Sequence, residues 1–301
     1  MPILKVIFLA IIQGLAELLP VSSSAHVIVA EKLMGLDPSA PQLTLLLVML
    51  HTGTMFAVIV FFWKTWKQTY FSSSEAFSRF ALRVLWATIV TGIVGQALKS
   101  LIEKTLFRGA EKAEIEQLFS RLDLIAPALA AAGVLILIAG LHERSRRFRP
   151  GAAVERFTRE TESTVTFGQS TWMGFIQGLA LPFRGFSRSG STISIGMLTQ
   201  ATREQAERFS FAMAVVLTPV VVAVEALRLE KAHRASVTAG IPIDFHGAVV
   251  YSLIGMVFSF LAGLVALKWL SNWLQNGRWY LFGIYCLVAA GVVFYLHTRG
   301  F

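Results

Sequence analysis

Six stretches of this chain are apolar for about the length that crosses a bilayer, roughly 20 residues, and two further apolar stretches break off at a polar turn. The full runs are residues 42–63, 81–98, 124–141, 209–227, 246–268 and 280–297. The broken ones form pairs of short arms, 3–19 with 23–35 and 170–182 with 191–202. Irregular backbone is tolerated at membrane depth only where protein or a watery cavity covers it. Each pair therefore reads as a re-entrant helical hairpin. The expected fold is an all-α integral membrane protein, with six transmembrane helices plus two re-entrant hairpins.

Composition agrees with that reading. Hydrophobic residues make up 55% of the 301 and charged residues only 15%, against about a quarter charged in a soluble domain. The formal net charge of +9 invites a nucleic-acid partner, but the basic residues sit in short loops between apolar runs. Lys and Arg there hold loops beside the membrane and meet anionic head groups. No soluble basic domain exists to hold a duplex, so nucleic acid is not expected as a partner. Cys286 is the single cysteine, which excludes a disulfide framework and a cysteine metal cluster.

The order of the elements repeats: a hairpin and three spans, then a hairpin and three spans. Three is odd, so the two hairpins enter from opposite faces, the pattern of an inverted-topology repeat with a site near the midplane. Gln-Gly-Leu-Ala recurs at 13–16 and 177–180, each time ahead of a serine-rich turn. The expectation is one membrane domain, 1–301, whose halves 1–141 and 170–301 are joined by the basic loop 142–169. That loop carries Arg144, Arg146, Arg147, Arg149, Arg156 and Arg159, with room for an amphipathic helix. Loops 64–83, 142–169, 203–208 and 268–279 share one face, which holds more Lys and Arg than the other and is expected to be cytoplasmic. Both termini and the first hairpin then lie on the outer side. Thr218-Pro219 predicts a kink in the fourth span, because proline removes a helix hydrogen bond.

The chemistry concentrates in the two hairpin turns. Gln13 and Glu17 are four apart and share a helix face. Ionisable groups at membrane depth are costly and normally face a cavity or a partner. Glu17 has three candidate roles: to bind a divalent cation, to act as a base, or to polarise His26. Ser22, Ser23 and Ser24 precede a helix start, where one serine caps and exposed amides make an anion site. His26 follows Ser23 by three residues, within reach of a serine–histidine hydrogen bond that would activate a hydroxyl nucleophile. His51, in the segment His51-Thr52-Gly53-Thr54 of the first span, is the weaker candidate. In the second turn, Ser187-Arg188-Ser189-Gly190-Ser191-Thr192 has the composition of an oxyanion clamp, with the planar fork of Arg188 suited to phosphate. No acid in that turn neutralises Arg188, so Glu17 or a ligand must. Arg184 adds a second positive charge.

The stretches QGLAE–LLP–VSSSAH and RGFSRSGSTIS, together with LHTGT in the first span, resemble the undecaprenyl-diphosphate phosphatase family, also called the bacitracin-resistance family. The likeness runs over essentially the whole chain. It implies an inner-membrane enzyme that removes the terminal phosphate of a C55 polyprenyl diphosphate and so regenerates the monophosphate carrier for cell-wall precursors. It also implies that Gln13 and Glu17 hold the paired-acid motif, Ser23 is the nucleophile and His26 its histidine. Arg188 becomes the diphosphate-binding arginine, flanked by Ser187, Ser189 and Thr192. Two departures stand out. Gln13 replaces a glutamate present in many members, which removes one metal-ligand charge. Arg184-Gly185 replaces the usual Pro-Gly of the second motif, which bears on the backbone path of that turn.

The expected mechanism has Ser23 attacking the terminal phosphorus while His26, oriented by Glu17, takes its proton. Gln13, Ser22, Arg188, Ser187, Ser189 and Thr192 bind substrate. A divalent cation, Mg2+ or Ca2+, sits on Glu17. Direct attack by water is the alternative chemistry. A flippase for the polyprenyl phosphate, or a protein that does both, is the rival function, since broken helices in an inverted repeat also build carriers. The expected partners are the polyprenyl diphosphate and membrane lipids, with a homodimer left open.

Overall fold

The computed structural model describes residues 2–38, 40–106, 121–147, 164–238, 244–274 and 278–301. Ten helices lie among them: α1 (Ile3–Leu18), α2 (Ser23–Leu33), α3 (Pro41–Thr69), α4 (Ser74–Leu106), α5 (Leu122–Arg147), α6 (Phe167–Ala180), α7 (Arg188–Leu198), α8 (Arg203–Thr238), α9 (Phe245–Leu274) and α10 (Tyr280–Thr298). Six of them, α3, α4, α5, α8, α9 and α10, are long and apolar enough to cross a membrane. Many side chains on the outside of the bundle are large and apolar, Ile93, Val220, Val265 and Val288 among them. Such a surface belongs against lipid rather than water.

The long helices overrun the apolar runs at both ends. α4 begins seven residues before its apolar stretch, and its first turn carries an exposed Arg79–Glu75 pair at 2.8 Å. The edge of an apolar run marks the hydrocarbon boundary, whereas the helix continues into the polar interface. For the same reason the basic loop expected over 142–169 begins later: residues 142–147 are still α5. Its central part, with Arg149, Arg156, Arg159 and the place expected for an amphipathic helix, lies outside the described residues. α6 starts at a capping box, in which the Thr166 hydroxyl accepts from the Gln169 amide and the Gln169 side chain accepts from the Thr166 amide. α8 runs through Pro219 as one helix.

Both broken stretches fold into the expected pairs of short helices. α1 stops because Leu19 precedes Pro20 and takes the extended conformation that proline imposes on its neighbour. α2 and α7 are each 11 residues long, and each is preceded by a serine in the left-handed region, Ser22 at φ 64° and Ser187 at φ 44°. A left-handed non-glycine residue costs on the order of 1 kcal/mol or more, so the surrounding structure must hold it there. Gly185 takes φ 105°, which a side chain rarely adopts, and the Ile125 carbonyl lies 2.6 Å from where its Cβ would stand. The departure at Arg184 therefore leaves the turn intact, because the glycine that follows it supplies the conformation.

The packing of the helices follows the two halves. α1 packs along α9, and α6 packs in the same way along α4. α3 meets α8 and α5 meets α10, so each of these helices pairs with its counterpart in the other half. This is the pairing that a two-fold exchange of the halves requires, and it is compatible with the expected repeat. The recurring Gln-Gly-Leu-Ala explains why the hairpins sit so closely. A Cβ on Gly14 would stand 2.8 Å from the Ser259 carbonyl on α9, and one on Gly178 would stand 2.9 Å from the Thr91 carbonyl on α4. Gln13 and Gln177 are both fully buried beside these contacts. The motif thus fastens each hairpin to a span of the opposite half.

Overpacking a helix contact of this kind costs about 1–3 kcal/mol. Gly14→Leu and Gly178→Leu are expected to lower the melting temperature in detergent clearly. Gly291→Leu, at a position with nothing within 4 Å, is expected to leave it unchanged. Equal melting of all three would contradict the close-contact role.

Candidate active site

The two hairpin turns meet at one carboxylate. Glu17, in the last turn of α1, has its side chain 17% exposed, and four polar side chains from four helices converge on it. Within its own helix, Gln13 Nε2 donates to Oε2 at 2.9 Å. From α2 the Ser23 hydroxyl donates to the same oxygen. From α3, His51 Nε2 lies 3.3 Å from Oε2. From the other half, Arg188 Nη2 at the start of α7 donates to Oε1 at 2.9 Å. The arginine that has no acid in its own turn is thus neutralised by Glu17.

A cavity of about 520 Å³ opens onto this cluster. Glu17, Ser22, Ser23, Ser24, His51, Ser187, Arg188 and Ser189 face it, so both hairpins and α3 contribute polar groups. Its walls continue along the C-terminal halves of α4 and α8, and Arg184 reaches it from the second turn. One negative and one positive charge therefore sit at its inner end, with Lys99, Arg184 and the ion pair of Glu225 with Arg228 further along. The sign and shape suit a phosphorylated head group with an apolar neighbour.

The two histidines are placed differently from the sequence-based expectation. His26 does not reach Ser23. Its Nδ1 lies 2.8 Å from the Ser22 carbonyl and its Nε2 lies 2.7 Å from the Tyr285 hydroxyl on α10, with the two rings stacked. A carbonyl can only accept, so Nδ1 carries the proton and Nε2 accepts from the tyrosine. Neither nitrogen is left to take a proton from Ser23. The i,i+3 spacing is sterically adequate, but the ring turns outward to hold the first turn against α10. His51 instead joins the cluster at Glu17. Its Nδ1 donates to the Leu47 carbonyl at 2.7 Å, which turns Nε2 toward Glu17. With the Nδ1 proton on that carbonyl, Nε2 is the nitrogen left to exchange a proton with the carboxylate. Glu17 and His51 thus stand within proton-exchange distance of each other.

Two of the expected substrate-binding residues lie behind the cavity. Gln13 is fully buried and orients Glu17 from within α1. Thr192 is fully buried, donates to the Arg188 carbonyl at 2.8 Å and pairs with Ser210 of α8 at 2.6 Å, so it anchors α7. Ser187 faces the cavity while its hydroxyl caps α7 by accepting from the Gly190 amide at 3.2 Å. Ser189 faces it beside the Glu17 carbonyl. The Ser22 hydroxyl faces it and has no partner among the described residues. In the His51 segment, the threonines turn back on their own helix: Thr52 donates to the Val48 carbonyl and Thr54 to that of His51. Tyr285 had no signal in the sequence beyond being a polar ring in an apolar span. His51 had one, an imidazole in mid-span.

The comparisons with known proteins agree in extent and in name. A family model described as Bacitracin resistance protein BacA matches residues 6–292. Undecaprenyl-diphosphatase 2 of Acinetobacter baylyi is 54% identical over 293 residues, which cover 97% of this chain and 97% of that protein. Undecaprenyl-diphosphatase 2 of Burkholderia thailandensis is 31% identical over 290 residues, 94% of this chain and 92% of that protein. Undecaprenyl-diphosphatase 1 of Burkholderia pseudomallei is 32% identical over 294 residues, with the same two shares. With its two serine turns joined at Glu17 and a match from end to end, the chain belongs to the bacitracin-resistance protein BacA family.

Proposed function

We propose that this multi-pass membrane protein is a phosphatase that hydrolyses undecaprenyl diphosphate to undecaprenyl phosphate and inorganic phosphate. It would thereby recycle the lipid carrier of cell-wall synthesis and confer resistance to bacitracin. The observation that carries the reading is the Ser23 hydroxyl donating to a carboxylate that also holds Arg188, at the inner end of a cavity. A carrier needs a head-group clamp but no such nucleophile, which favours the enzyme over the flippase. The names and the coverage of the relatives support the same activity. The cavity lies toward the ends of α4 and α8 that carry Lys99 and Arg228, the side of both chain termini. With the charge pattern of the loops, this supports a place in the cell inner membrane with the site open to the outer face.

The mechanism follows from the contacts. The diphosphate enters the cavity and takes over the fork of Arg188, whose planar donors match two phosphate oxygens. Ser23 Oγ attacks the terminal phosphorus, its proton passes to Glu17, and the bridging P–O bond breaks to release undecaprenyl phosphate. His51 Nε2 takes that proton from Glu17 and so frees the carboxylate for the second step. Water then attacks the phosphoserine and gives one proton to Glu17, the Ser23–phosphorus bond breaks as Oγ takes that proton back, and the proton held on His51 leaves with orthophosphate. His26 positions the Ser22–Ser23 turn through the Ser22 carbonyl.

A divalent cation, Mg2+ or Ca2+, is part of the proposal. Among the described residues no group of three or more His, Cys, Asp or Glu is placed to hold a metal. Mg2+, however, commonly takes only one or two carboxylates and fills its sphere with water and substrate phosphate. Glu17 and the unpartnered Ser22 hydroxyl, both facing the cavity, fit that mode. When bound, the cation would neutralise the diphosphate alongside Arg188.

The primary test is phosphate release from undecaprenyl diphosphate by the purified protein in detergent, with and without chelator. Robust, chelator-sensitive release is expected; none from a folded protein would exclude the reading. Ser23→Ala and Glu17→Gln are each expected to lower turnover at least about a hundredfold. The double change should be no worse, because residues acting as a unit are not additive. Multiplying losses, with no phosphoserine trapped on rapid quench, would leave direct attack by water.

The histidines are separated by the same assay. His51→Ala is expected to reduce kcat by about tenfold to a hundredfold, within the range of proton-transfer contributions. His26→Ala and Tyr285→Phe should cost less and resemble each other, since they share one hydrogen bond. A larger loss at His26 than at His51 would reverse the assignment. Arg188→Lys should recover little of the activity lost in Arg188→Ala, because a point charge lacks the fork.

A further inference from the structure

Two arginines of the second hairpin turn reach the cavity, and they hold different places in it. Arg188 donates to Glu17 at the inner end. Arg184 stands where the family's motif commonly has proline, so this chain carries a cation in the turn that the motif itself does not require. Gly185, held at φ 105° against the Ile125 carbonyl, fixes the backbone from which Arg184 extends. The charge of Arg184 acts on His51 of the Glu17 cluster and also on Glu31 of α2. Glu31 lies eight residues beyond Ser23, about two helical turns toward the outer end of α2. Arg184 therefore stands between the cluster and the mouth of the cavity, on the outward side of Arg188.

The cations on the two spans answer to acids of their own helices. Arg228 pairs with Glu225 at 2.9 Å on α8, and Lys99 with Glu103 at 3.6 Å on α4. Gln96 adds a neutral amide on the α4 wall. Behind Arg184, Glu31 is 1% exposed, and one of its carboxylate oxygens has no hydrogen-bond partner among the described residues. A diphosphate carries its charge on two phosphorus centres. Arg188, beside Ser23 on Glu17, meets the terminal one, which Ser23 attacks. The other centre carries the lipid and must lie on the outward side, where the same turn presents Arg184.

We propose that Arg184 binds the lipid-side phosphate of the substrate while Arg188 binds the terminal one, so that a single turn reads a diphosphate with two guanidinium forks. The inference rests on the phosphatase reading of the site and adds the residue that recognises the leaving group. When the bond from the terminal phosphorus to the bridging oxygen breaks, its electron pair stays on that oxygen, and the lipid-side phosphate gains one negative charge. A guanidinium already placed on that phosphate offsets the charge as it forms, with no proton to transfer. Undecaprenyl phosphate keeps the Arg184 contact after the step, whereas orthophosphate leaves from Arg188. The two products therefore report on different arginines.

The test is inhibition of phosphate release by each product, undecaprenyl phosphate and orthophosphate, in mixed micelles, with melting temperatures measured in parallel. Wild-type protein that releases no phosphate fails the phosphatase reading, which is settled before any variant is compared. Arg184→Gln is expected to weaken inhibition by undecaprenyl phosphate at least about tenfold and to leave inhibition by orthophosphate within about twofold, as the loss of one charge-assisted contact implies. Its kcat on undecaprenyl diphosphate should also fall at least about tenfold, because the leaving group loses its counter-charge. Unchanged inhibition by undecaprenyl phosphate in folded Arg184→Gln would overturn the assignment. Equal weakening for both products would do so too, as would a weakening at Lys99→Gln in its place. If Arg184→Gln melts early, because Glu31 loses a nearby charge, the double variant with Glu31→Gln carries the decision on the same criterion.

Discussion

A carboxylate held largely out of water within a membrane protein must be matched by donors, and the arrangement of this fold depends on how Glu17 is matched. No single segment could supply enough of them. Gln13 comes from the same helix, Ser23 from across the first turn, His51 from the neighbouring span and Arg188 from the other half of the chain. Leaving out any one would strand a charge or a buried polar group, which costs more than the intact pair contributes. The same contacts that join the hairpins also bring together the hydroxyl, carboxylate, imidazole and guanidinium that the proposed mechanism uses. Structure and chemistry share one centre.

The surrounding construction keeps that centre in place. Gly14 and Gly178 let each hairpin lie against the backbone of a span from the opposite half. Ser22 and Ser187 are held in left-handed conformations just before their helices, and the serines of both turns line the cavity. His26 and Tyr285 fasten the first turn to α10, while Thr192 and Ser210 fasten the start of α7 to α8. α3 packs closely along α9, whereas α4 and α8 touch only briefly and the cavity lies between them.

Much of this could be read from residue types and spacing. Apolar runs of spanning length located six helices, and the broken runs located two hairpins. The pairing of Glu17 with Arg188 followed from charge alone, since the second turn has no acid of its own. Spacing misled where side-chain direction depends on distant contacts. His26 lies within a turn of Ser23, but the Ser22 carbonyl and a tyrosine 259 residues away orient its ring. Thr192 lies within a turn of Arg188 and faces inward to Ser210. His51 was hard to rank because its role depends on α3 crossing beside α1, which no local pattern encodes. Helix ends were missed for a simpler reason: hydropathy reports the membrane boundary and is silent on capping, as at Thr166 and Gln169.

The central claim is that Glu17 and Arg188 join the two halves directly. A double-mutant cycle on melting temperature in detergent, with Glu17→Gln, Arg188→Gln and the double change, tests it without substrate. The account predicts that the double variant is more stable than the summed losses of the singles, by a coupling of about 0.5–3 kcal/mol. Strictly additive losses would contradict it, because they would mean that the carboxylate and the guanidinium do not depend on each other.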